Sequence, residues 1–457
     1  MGMVFLAAVT GFVAMLPWGG SPGLAQEAIS QEEPTPSSVD EVVTSMQRSF
    51  QEKPSRPEFF PRLKEQLKDT PPFLRDTKIE LNLRTYYFYR DNLNNSKNEA
   101  WAIGGSLSYR SGWFLDHFGG GAVLYTSQPL YAPDNRDGTQ LLKPGQEGYT
   151  VLGQIYGRVK LFEENFINIY RYTYNTPYMN MNDSRMTPNT FEGYTFQGAY
   201  GGKDGSPKFT YGGGYIDKIK SRDSTDFISM SRAAGADVKR GVFAGGGNVS
   251  IGGFQLGGIN YYSQDIINIG YGETKYTLPV TERLGLLFAG QYSDQRSTGK
   301  HLLTGASFMT NQVGVKTDMS YGGAILTIAY TNMAKGANMQ KPWSSYPGYT
   351  SVQVKDFNRA GEEAFMVKGS YDFSRLGLEG VTVYALLVHG WGAVNPATTS
   401  AVINQNEYDF DVQWRPKIDF LKGVWFRGRY ARVEQQGSNG SSINEFRVMV
   451  NYDFPLF

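Results

Sequence analysis

Residues 78–91 read KIELNLRTYYFYRD, and two kinds of side chain alternate through this stretch. One face of an extended chain would carry Ile79, Leu81, Leu83, Thr85, Tyr87 and Tyr89. The other face would carry Glu80, Asn82, Arg84, Tyr86, Phe88 and Arg90. Because successive residues of a β-strand point to opposite sides, this period of two predicts a strand with one apolar face and one more polar face.

Stretches of the same kind recur to the carboxyl end, for example at 365–373 and 408–415. Each is about 10 residues long, the length that a tilted strand needs to cross the hydrocarbon core of a membrane. The last one, 445–454, is followed by a terminal Phe457, an aromatic end that looks like the assembly signal of outer-membrane proteins. Tight turns alternate with long polar connections, which lie at 127–148, 176–190, 220–239, 334–361 and 392–405.

This pattern predicts an all-β fold, a transmembrane antiparallel β-barrel of about 18 strands over residues 76–457, with short periplasmic turns and long external loops. The alternation is weakest between 264 and 312, where the strand count stays open by one hairpin. A β-sandwich would also alternate, but about 18 strands in one domain favour closure into a barrel, which removes the strand edges.

The composition agrees with apolar surface that is dispersed in short strands. The chain has 457 residues with no Cys, 54 Gly and 30 Tyr, and its mean hydropathy is −0.39 although 14% of the residues are aromatic. The absence of Cys is compatible with passage through an oxidising periplasm. A net charge of +1 argues against a nucleic-acid partner, which requires a basic excess.

The amino-terminal part predicts targeting and tethering rather than a folded domain. The apolar run from Val4 to Leu16 is too short for a membrane helix and, with small residues before a cut after Ala25, indicates a signal peptide over residues 1–25. Residues 26–75 begin rich in Gln, Glu, Pro and Ser and predict a periplasmic tether with two short amphipathic helices, at 39–50 and 59–67. We expect these helices to pack against the barrel mouth or each other, in preference to forming a partner-binding site.

Several basic side chains fall on the polar faces of the predicted strands, and hence inside the barrel. On the lipid face near the membrane midplane each would cost about 2–4 kcal/mol, so the inward orientation is favoured. Arg427 and Arg429 are two residues apart on one strand, which separates them by about 6.6 Å, and Arg447 on the last strand could lie beside them. The predicted basic ladder consists of Arg84, Arg171, Lys316, Lys368, Arg427, Arg429 and Arg447.

Arg171 is the ambiguous member of this ladder. Its neighbours Tyr170, Tyr172 and Tyr174 could form part of a lipid-facing aromatic girdle. If they do, Arg171 points into the lumen.

The chain resembles the OprD-type outer-membrane porins of Gram-negative bacteria. The likeness runs from about residue 78 to the end and is carried by 83–91, 182–193, 371–373 and 427–430. It implies a monomeric or trimeric pore of 18 strands in outer-membrane lipid and lipopolysaccharide. It also implies a third loop that folds inward and a basic ladder that guides small carboxylates.

With that likeness, residues 176–190 become the expected constriction of the pore. Asp183 and Arg185 could face the basic wall and create a transverse field, with Tyr178 and Asn182 narrowing the passage beside Ser184. Alternatively, Asp183 and Arg185 anchor the loop to the barrel wall. The ladder itself could instead be an ordinary set of solvated charges balanced by Asp372, Asp409 and Asp411.

The expected function is that of a porin for passive, substrate-selective diffusion of small hydrophilic solutes, above all small carboxylates or other anions. The alternative is a structural barrel that sheathes a partner such as an electron-carrying cytochrome. No catalytic residues, metal site or cofactor are expected, because His117, His301 and His389 are far apart in sequence and no hydrolase motif surrounds them. An energy-coupled receptor is disfavoured, since the tether is too short for a plug.

Overall fold

A computed structural model describes residues 65–162, 164–203, 205–437 and 442–456. Within them, nineteen strands form one sheet. The first nine are β1 (Lys78–Asp91), β2 (Lys97–Arg110), β3 (Phe118–Tyr131), β4 (Tyr149–Phe162), β5 (Asn165–Tyr172), β6 (Thr190–Gly201), β7 (Lys208–Lys220), β8 (Ile228–Ser229) and β9 (Val242–Ile251). The others are β10 (Phe254–Ser263), β11 (Ile267–Pro279), β12 (Leu284–Ser297), β13 (Met309–Tyr321), β14 (Ala324–Met333), β15 (Glu363–Asp372), β16 (Val381–Trp391), β17 (Gln405–Trp414), β18 (Val424–Gln435) and β19 (Ser442–Pro455).

The sheet closes on itself. Each wall strand pairs antiparallel with its neighbours in sequence, and β1 pairs with β19 over a register that runs from Glu80 opposite Pro455 to Asp91 opposite Asn444. The short β8 pairs with the end of β7, while β7 also pairs directly with β9. The closed wall therefore has 18 strands, as the sequence predicts, and the nineteenth lies in the connection between β7 and β9. In the region 264–312, β11, β12 and β13 pair regularly with one another in sequence order, and this region contains no additional hairpin.

The two faces of the wall follow the predicted period of two. Leu83, Phe365 and Phe410 are exposed on the outer surface, where an apolar side chain suits lipid. Their inward neighbours Met366 and Asp411 are buried. Loops that lie inside the barrel cover part of this inner face.

Connections alternate in length around the barrel. Turns at one end are short, such as 252–253 and 322–323, whereas the connections at the other end include 132–148, 173–189, 221–241, 334–362 and 392–404. We call these the short-turn end and the long-loop end. One interior core contains Tyr178, Trp343 and Met230, each from a different long connection, packed on Tyr261 of β10. The long loops therefore build the inside of the barrel.

The amino-terminal extension is described from residue 65 onward. Residues 65–67 are helical, and a short helix, α1, spans Pro72–Arg75. The amide of Gly112 donates to Phe73 O at 3.0 Å, and the rings of Phe73 and Phe114 meet edge to face at 6.2 Å. This end of the extension thus contacts the first turn at the barrel mouth. The predicted signal peptide and the predicted helix at 39–50 lie outside the described residues.

The remaining regular elements are short. The helix α2 spans Met230–Ala233, and 3-10 turns occur at Asp134–Arg136, Phe373–Leu376 and Asp419–Leu421. No helix in the described part of the chain is long and apolar enough to cross a membrane.

Candidate functional site

Two long connections fold back into the barrel and meet there. The constriction loop, residues 173–189, links β5 to β6, and the second inward loop, residues 334–362, links β14 to β15. Asn182 Nδ2 donates to Ser344 O at 2.7 Å, and Ser345 Oγ donates to Pro177 O at 2.9 Å. The fold-back of the first loop matches the expectation from the family likeness. The second is also one of the predicted long connections, but its inward fold was not predicted.

Arg84 of β1 fixes the constriction loop to the wall. Its two terminal guanidinium nitrogens donate to the carboxylate of Asp183, at 2.7 and 3.0 Å. Its Nε donates to Asn451 Oδ1 at 2.6 Å. The Asp183 side chain is 35% exposed and the Arg84 side chain 12%. Asp183 therefore has the anchoring role that the sequence left open, and Arg84 is held by it rather than standing free in the passage.

Arg185 belongs to the constriction loop, and its side chain is buried, with the residue 6% exposed. Its Nε donates to Thr139 O at 2.8 Å, and its guanidinium carbon lies 4.9 Å from the centre of the Phe88 ring. Burial and the nearby charge of Arg447 hold the pKa of Arg185 well below its usual range. Two guanidinium groups this close raise the positive potential of the adjoining wall.

The other predicted constriction residues mainly support the loop. Tyr178 is fully buried, its hydroxyl bonded to Ser293 Oγ at 2.5 Å, and burial raises the pKa of Tyr178 to about 12. It packs inside the core and presents no surface to the passage, which corrects its expected place on the pore lining. Asn182 Oδ1 accepts from Ser184 Oγ at 3.0 Å. Ser184 O in turn accepts from the hydroxyl of Tyr86 at 3.3 Å.

Arg222, in the connection 221–241, is a central residue that the sequence reasoning missed. Its Nη1 donates to Ser184 Oγ at 2.6 Å and to Asn182 Oδ1 at 3.2 Å, and its Nη2 donates to Gln140. Burial lowers the pKa of Arg222, with partial compensation from Asp223. It lies in a polar loop without periodicity, so no pattern in the sequence could have indicated this position.

The basic wall is built by β18 and β19. Arg427 and Arg429 both contact Asp411 Oδ2, at 2.8 and 2.9 Å. Arg429 stands directly opposite Arg447 in the strand register, as the sequence suggested. Arg447 Nε donates to Glu445 Oε1 at 2.6 Å, and Glu445 also pairs with Arg90. Each of these two carboxylates therefore serves two arginines.

Lys368 and Lys316 continue the positive wall on β15 and β13. Lys368 Nζ lies 4.5 Å from the centre of the Tyr384 ring and makes no ion pair with any residue in the described ranges. Lys316 is 3.4 Å from Asp318 and 5.3 Å from the Tyr349 ring centre. Lys368 is consequently the ladder cation best able to receive an anion from the passage.

The carboxylates that the sequence offered as balancing charges divide into three roles. Asp411 neutralises part of the ladder. Asp409 instead accepts a backbone hydrogen bond from Gln353 in the second inward loop, at 3.2 Å. Asp372 accepts from the amide of Ser374 at 2.9 Å and so caps a turn at the short-turn end. Of the three, Asp411 is the one that forms ion pairs with the ladder among the described residues.

Arg171 does not belong to the ladder, and the prediction that it faces the lumen is wrong. It stands opposite Ile155, which is 40% exposed on the outer surface, and it pairs with Glu192 at 3.1 Å. Tyr172 points inward instead, where its ring meets those of Tyr156 and Tyr174 at 4.7 and 5.7 Å. Loops inside the barrel supply apolar contacts, so a tyrosine side chain is stable on the inner face as well as against lipid.

Replacing Arg171 by Gln should therefore leave ion selectivity unchanged. The substitution removes an outward pair with Glu192, worth about 1 kcal/mol or less at a partly exposed position, and contacts of the guanidinium with the rings of Tyr170 and Phe227. Reversal potentials of the variant and the unmodified channel in a salt gradient check this. A loss of anion preference would place Arg171 in the permeation path after all.

The histidines do not form a reactive centre. His117, in the turn between β2 and β3, has its Nδ1 2.8 Å from Lys160 O. His389, on β16, has its Nδ1 2.6 Å from Asn406 Oδ1 of β17. His301 lies in the connection between β12 and β13. Across the described ranges, no group of three or more His, Cys, Asp or Glu residues is placed to hold a metal ion.

Comparison with known proteins identifies the architecture. A family model described as "outer membrane porin, OprD family" matches residues 71–456. Porin D of Pseudomonas aeruginosa is 21% identical over 421 residues, which cover 84% of this chain and 92% of the relative. Among solved structures, OccK9 (OpdG) of Pseudomonas aeruginosa superposes with a TM-score of 0.75 at 24% identity, over 84% of this chain and 100% of that chain. OccAB3 of Acinetobacter baumannii gives 0.75 at 19%, over 83% and 99%. OpdK of Pseudomonas aeruginosa, solved with vanillate, gives 0.72 at 20%, over 84% and 100%.

Proposed function

Since the chain belongs to the OprD family of outer membrane porins, we propose that it selects small carboxylates and other small anions for passive diffusion along its basic wall. The family places it in the outer membrane of a Gram-negative bacterium, as a substrate-specific channel for small solutes and not as an enzyme. The anionic substrate class and the roles of Lys368, Arg427 and Arg429 are the proposed part.

The observation that carries this proposal is the concentration of basic side chains on one side of the lumen. Arg427 and Arg429 share the single carboxylate of Asp411, and Lys368 has no ion-pair partner within the described ranges. In a narrow passage with low-dielectric walls, cations that line one side raise the local concentration of anions. Guanidinium groups also bind carboxylates through two parallel hydrogen bonds. That OpdK was solved with vanillate, an organic anion, supports the same substrate class.

The test is the reversal potential of single channels in a planar bilayer under a salt gradient, with chloride and with acetate as the anion. We expect anion preference in the unmodified channel and a shift toward non-selectivity in the double variant Arg427→Gln/Arg429→Gln, because the variant leaves Asp411 unbalanced on the same wall. Lys368→Met should weaken the preference further. An unchanged reversal potential in these variants would refute the role of the ladder.

Arg432→Gln is the matched control. Arg432 lies on the same strand, three residues from Arg429, but on the outward face, where it pairs with Glu434 and is 43% exposed. It loses one positive charge without changing the lumen. Its reversal potential should equal that of the unmodified channel.

The sheath around a partner protein has less support. Trp343 and Tyr178 from the two inward loops are buried inside the barrel, so the loops occupy the space that a threaded partner would need. Nothing in the described part of the chain favours this second function.

A further inference from the structure

One aromatic ring on the inner face of β1 lies among three arginines. Phe88 is 1% exposed. The guanidinium carbons of Arg185, Arg447 and Arg90 lie 4.9, 5.4 and 5.5 Å from the centre of its ring. All three distances fall within the range of about 6 Å over which the negative face of an aromatic ring attracts a cation. Phe88 is therefore a shared contact of three positive groups.

The three arginines come from three different parts of the chain. Arg90 is on β1, and Arg447 stands directly opposite Phe88 in the register of β1 and β19. Arg185 belongs to the constriction loop. The tip of the second inward loop is tied to the same cluster, because Arg447 Nη2 donates to Gln353 O at 3.2 Å. The ring thus lies where the barrel wall and both inward loops meet.

The ion pairs of this cluster involve two of the three arginines. Glu445 pairs with both Arg90 and Arg447. Arg185 forms no ion pair with a carboxylate in the described ranges, and its guanidinium donates to two backbone carbonyls, at 2.8 and 2.9 Å. These carbonyls are uncharged, and neighbouring guanidinium groups repel one another. The ring of Phe88 is the attractive partner that all three arginines share.

The surroundings of the ring strengthen its attraction for cations. Phe88 packs in one core cluster with Tyr86, Leu141 and Met186, each of which is 2% exposed or less. The attraction between a cation and an aromatic ring is strongest where water is excluded. A leucine would make similar apolar contacts at this position, but it has no negative face. The apolar core alone therefore does not explain an aromatic residue here, whereas the three cations do.

We propose that Phe88 is a positioning residue for the basic lining of the pore, and that its ring holds Arg90, Arg185 and Arg447 together where the two inward loops meet. The ring is buried and does not touch a solute. It acts through the arginines, whose charges contribute to the potential along the adjoining wall. The holding of the arginines is independent of the proposed function, whereas its consequence for anion preference rests on that function.

Fluorinated phenylalanines at residue 88 test this role with little change in the size of the side chain. One, two and three fluorine atoms withdraw electron density from the ring face in steps, so the attraction for cations falls in steps. We expect phenylglyoxal to modify Arg185 faster at each step in the folded barrel, as followed by peptide mass spectrometry. Between phenylalanine and trifluorophenylalanine the rate should rise about tenfold, the effect of losing a desolvated contact of this kind. The reversal potential in a salt gradient should move stepwise toward non-selectivity.

Two ordinary substitutions and a matched site complete the test. Phe88→Tyr keeps the ring face and should leave both measurements close to those of the unmodified channel, whereas Phe88→Leu should change both as trifluorophenylalanine does. Trifluorophenylalanine at residue 191 is the matched control. Phe191 of β6 is also fully buried inside the barrel, and none of the cation–ring contacts among the described residues involves it. Folding of each protein is checked by its heat-dependent mobility in detergent gels.

The outcomes separate this proposal from the proposed function. A rate of Arg185 modification that stays constant along the fluorine series, or that rises equally when residue 191 is fluorinated, would overturn the role of Phe88. A constant reversal potential along the series in a channel that prefers anions would overturn it too. Absence of anion preference in the unmodified channel would instead refute the proposed function, and the modification rates would still decide whether the ring holds the arginines.

Discussion

Replacing Glu407 and Asp409 by alanine should release the tip of the second inward loop, residues 353–355, and increase both the conductance and its noise. Glu407 is fully buried and accepts the amides of Val354 and Lys355 at 2.6 and 2.7 Å, through one oxygen each. Asp409 accepts the amide of Gln353 at 3.2 Å. Two residues on the inward face of β17, separated by Tyr408, thus hold three consecutive backbone donors.

The loss is expected to be large because no other group can replace these acceptors. Each hydrogen bond lost is worth about 0.5–1.5 kcal/mol, and each donor left unpaired in a buried site costs about 1–3 kcal/mol more. The wall itself should survive, since β17 keeps its ladder with β16 and β18. We therefore expect the loop tip to move while the barrel stays closed.

Single-channel recordings and limited proteolysis measure this effect together. The double variant should show a wider distribution of conductance levels and cleavage within 334–362. Glu434→Ala is the control, because Glu434 is an exposed carboxylate on the neighbouring strand that pairs only with Arg432 in the described ion pairs. If the double variant conducts like the unmodified channel and its loop resists protease, then the carboxylates do not hold the loop.

The same clamp explains why part of the ladder is screened from the passage. Arg447 Nη2 donates to Gln353 O at 3.2 Å, and Gln353 Nε2 donates to Glu445 at 3.0 Å. The loop tip therefore covers Arg447 and leaves Arg427 and Lys368 as the more accessible cations. A period of two places all three in the lumen but cannot show which of them a loop covers.

The sequence predicts the wall well because lipid and lumen impose opposite demands on alternate residues. An inward Lys368 and an outward Phe365 follow from that rule alone, and the register confirms it strand by strand. The rule is weaker for aromatics, which are stable on either side when loops fill the lumen. Tyr86 and Phe88 point inward and are almost completely buried, and Tyr172 is also inward and buried. Because alternate residues face opposite sides, a rule that places Tyr172 against lipid predicts the wrong face for its neighbour Arg171.

The loops follow no such rule. Arg222 reaches Gln140 and Ser184 from a separate connection, and Asn182 contacts Ser344 across 162 positions of chain. These contacts depend on the closure of the barrel, which brings distant loop tips together. The family likeness alone predicted that a long loop folds inward. It predicted this for the constriction loop and not for the second inward loop.

Replacing Trp343 by alanine should loosen both inward loops at once, because this side chain ties three connections to the wall. Trp343 is 1% exposed, its ring lies 5.9 Å from that of Tyr261 on β10, and its Nε1 donates to Met230 O in α2 at 3.2 Å. Tyr261 also meets Tyr178 of the constriction loop at 5.9 Å.

Truncating a buried tryptophan to alanine costs about 3–5 kcal/mol through lost burial and the cavity left behind. The barrel wall does not depend on that side chain, so the cost should fall on loop docking. We expect protease cleavage in both 173–189 and 334–362, higher conductance and weaker anion preference, with the heat-dependent gel mobility of the barrel retained. Trp343→Phe, which keeps most of the apolar contact, should give an intermediate effect, and Trp101→Ala on the outer face should give none. If Trp343→Ala left the two loops as resistant to protease as before, the shared core would not be what narrows this channel, and the hydrogen bonds of Arg84 and Glu407 would have to hold the loops alone.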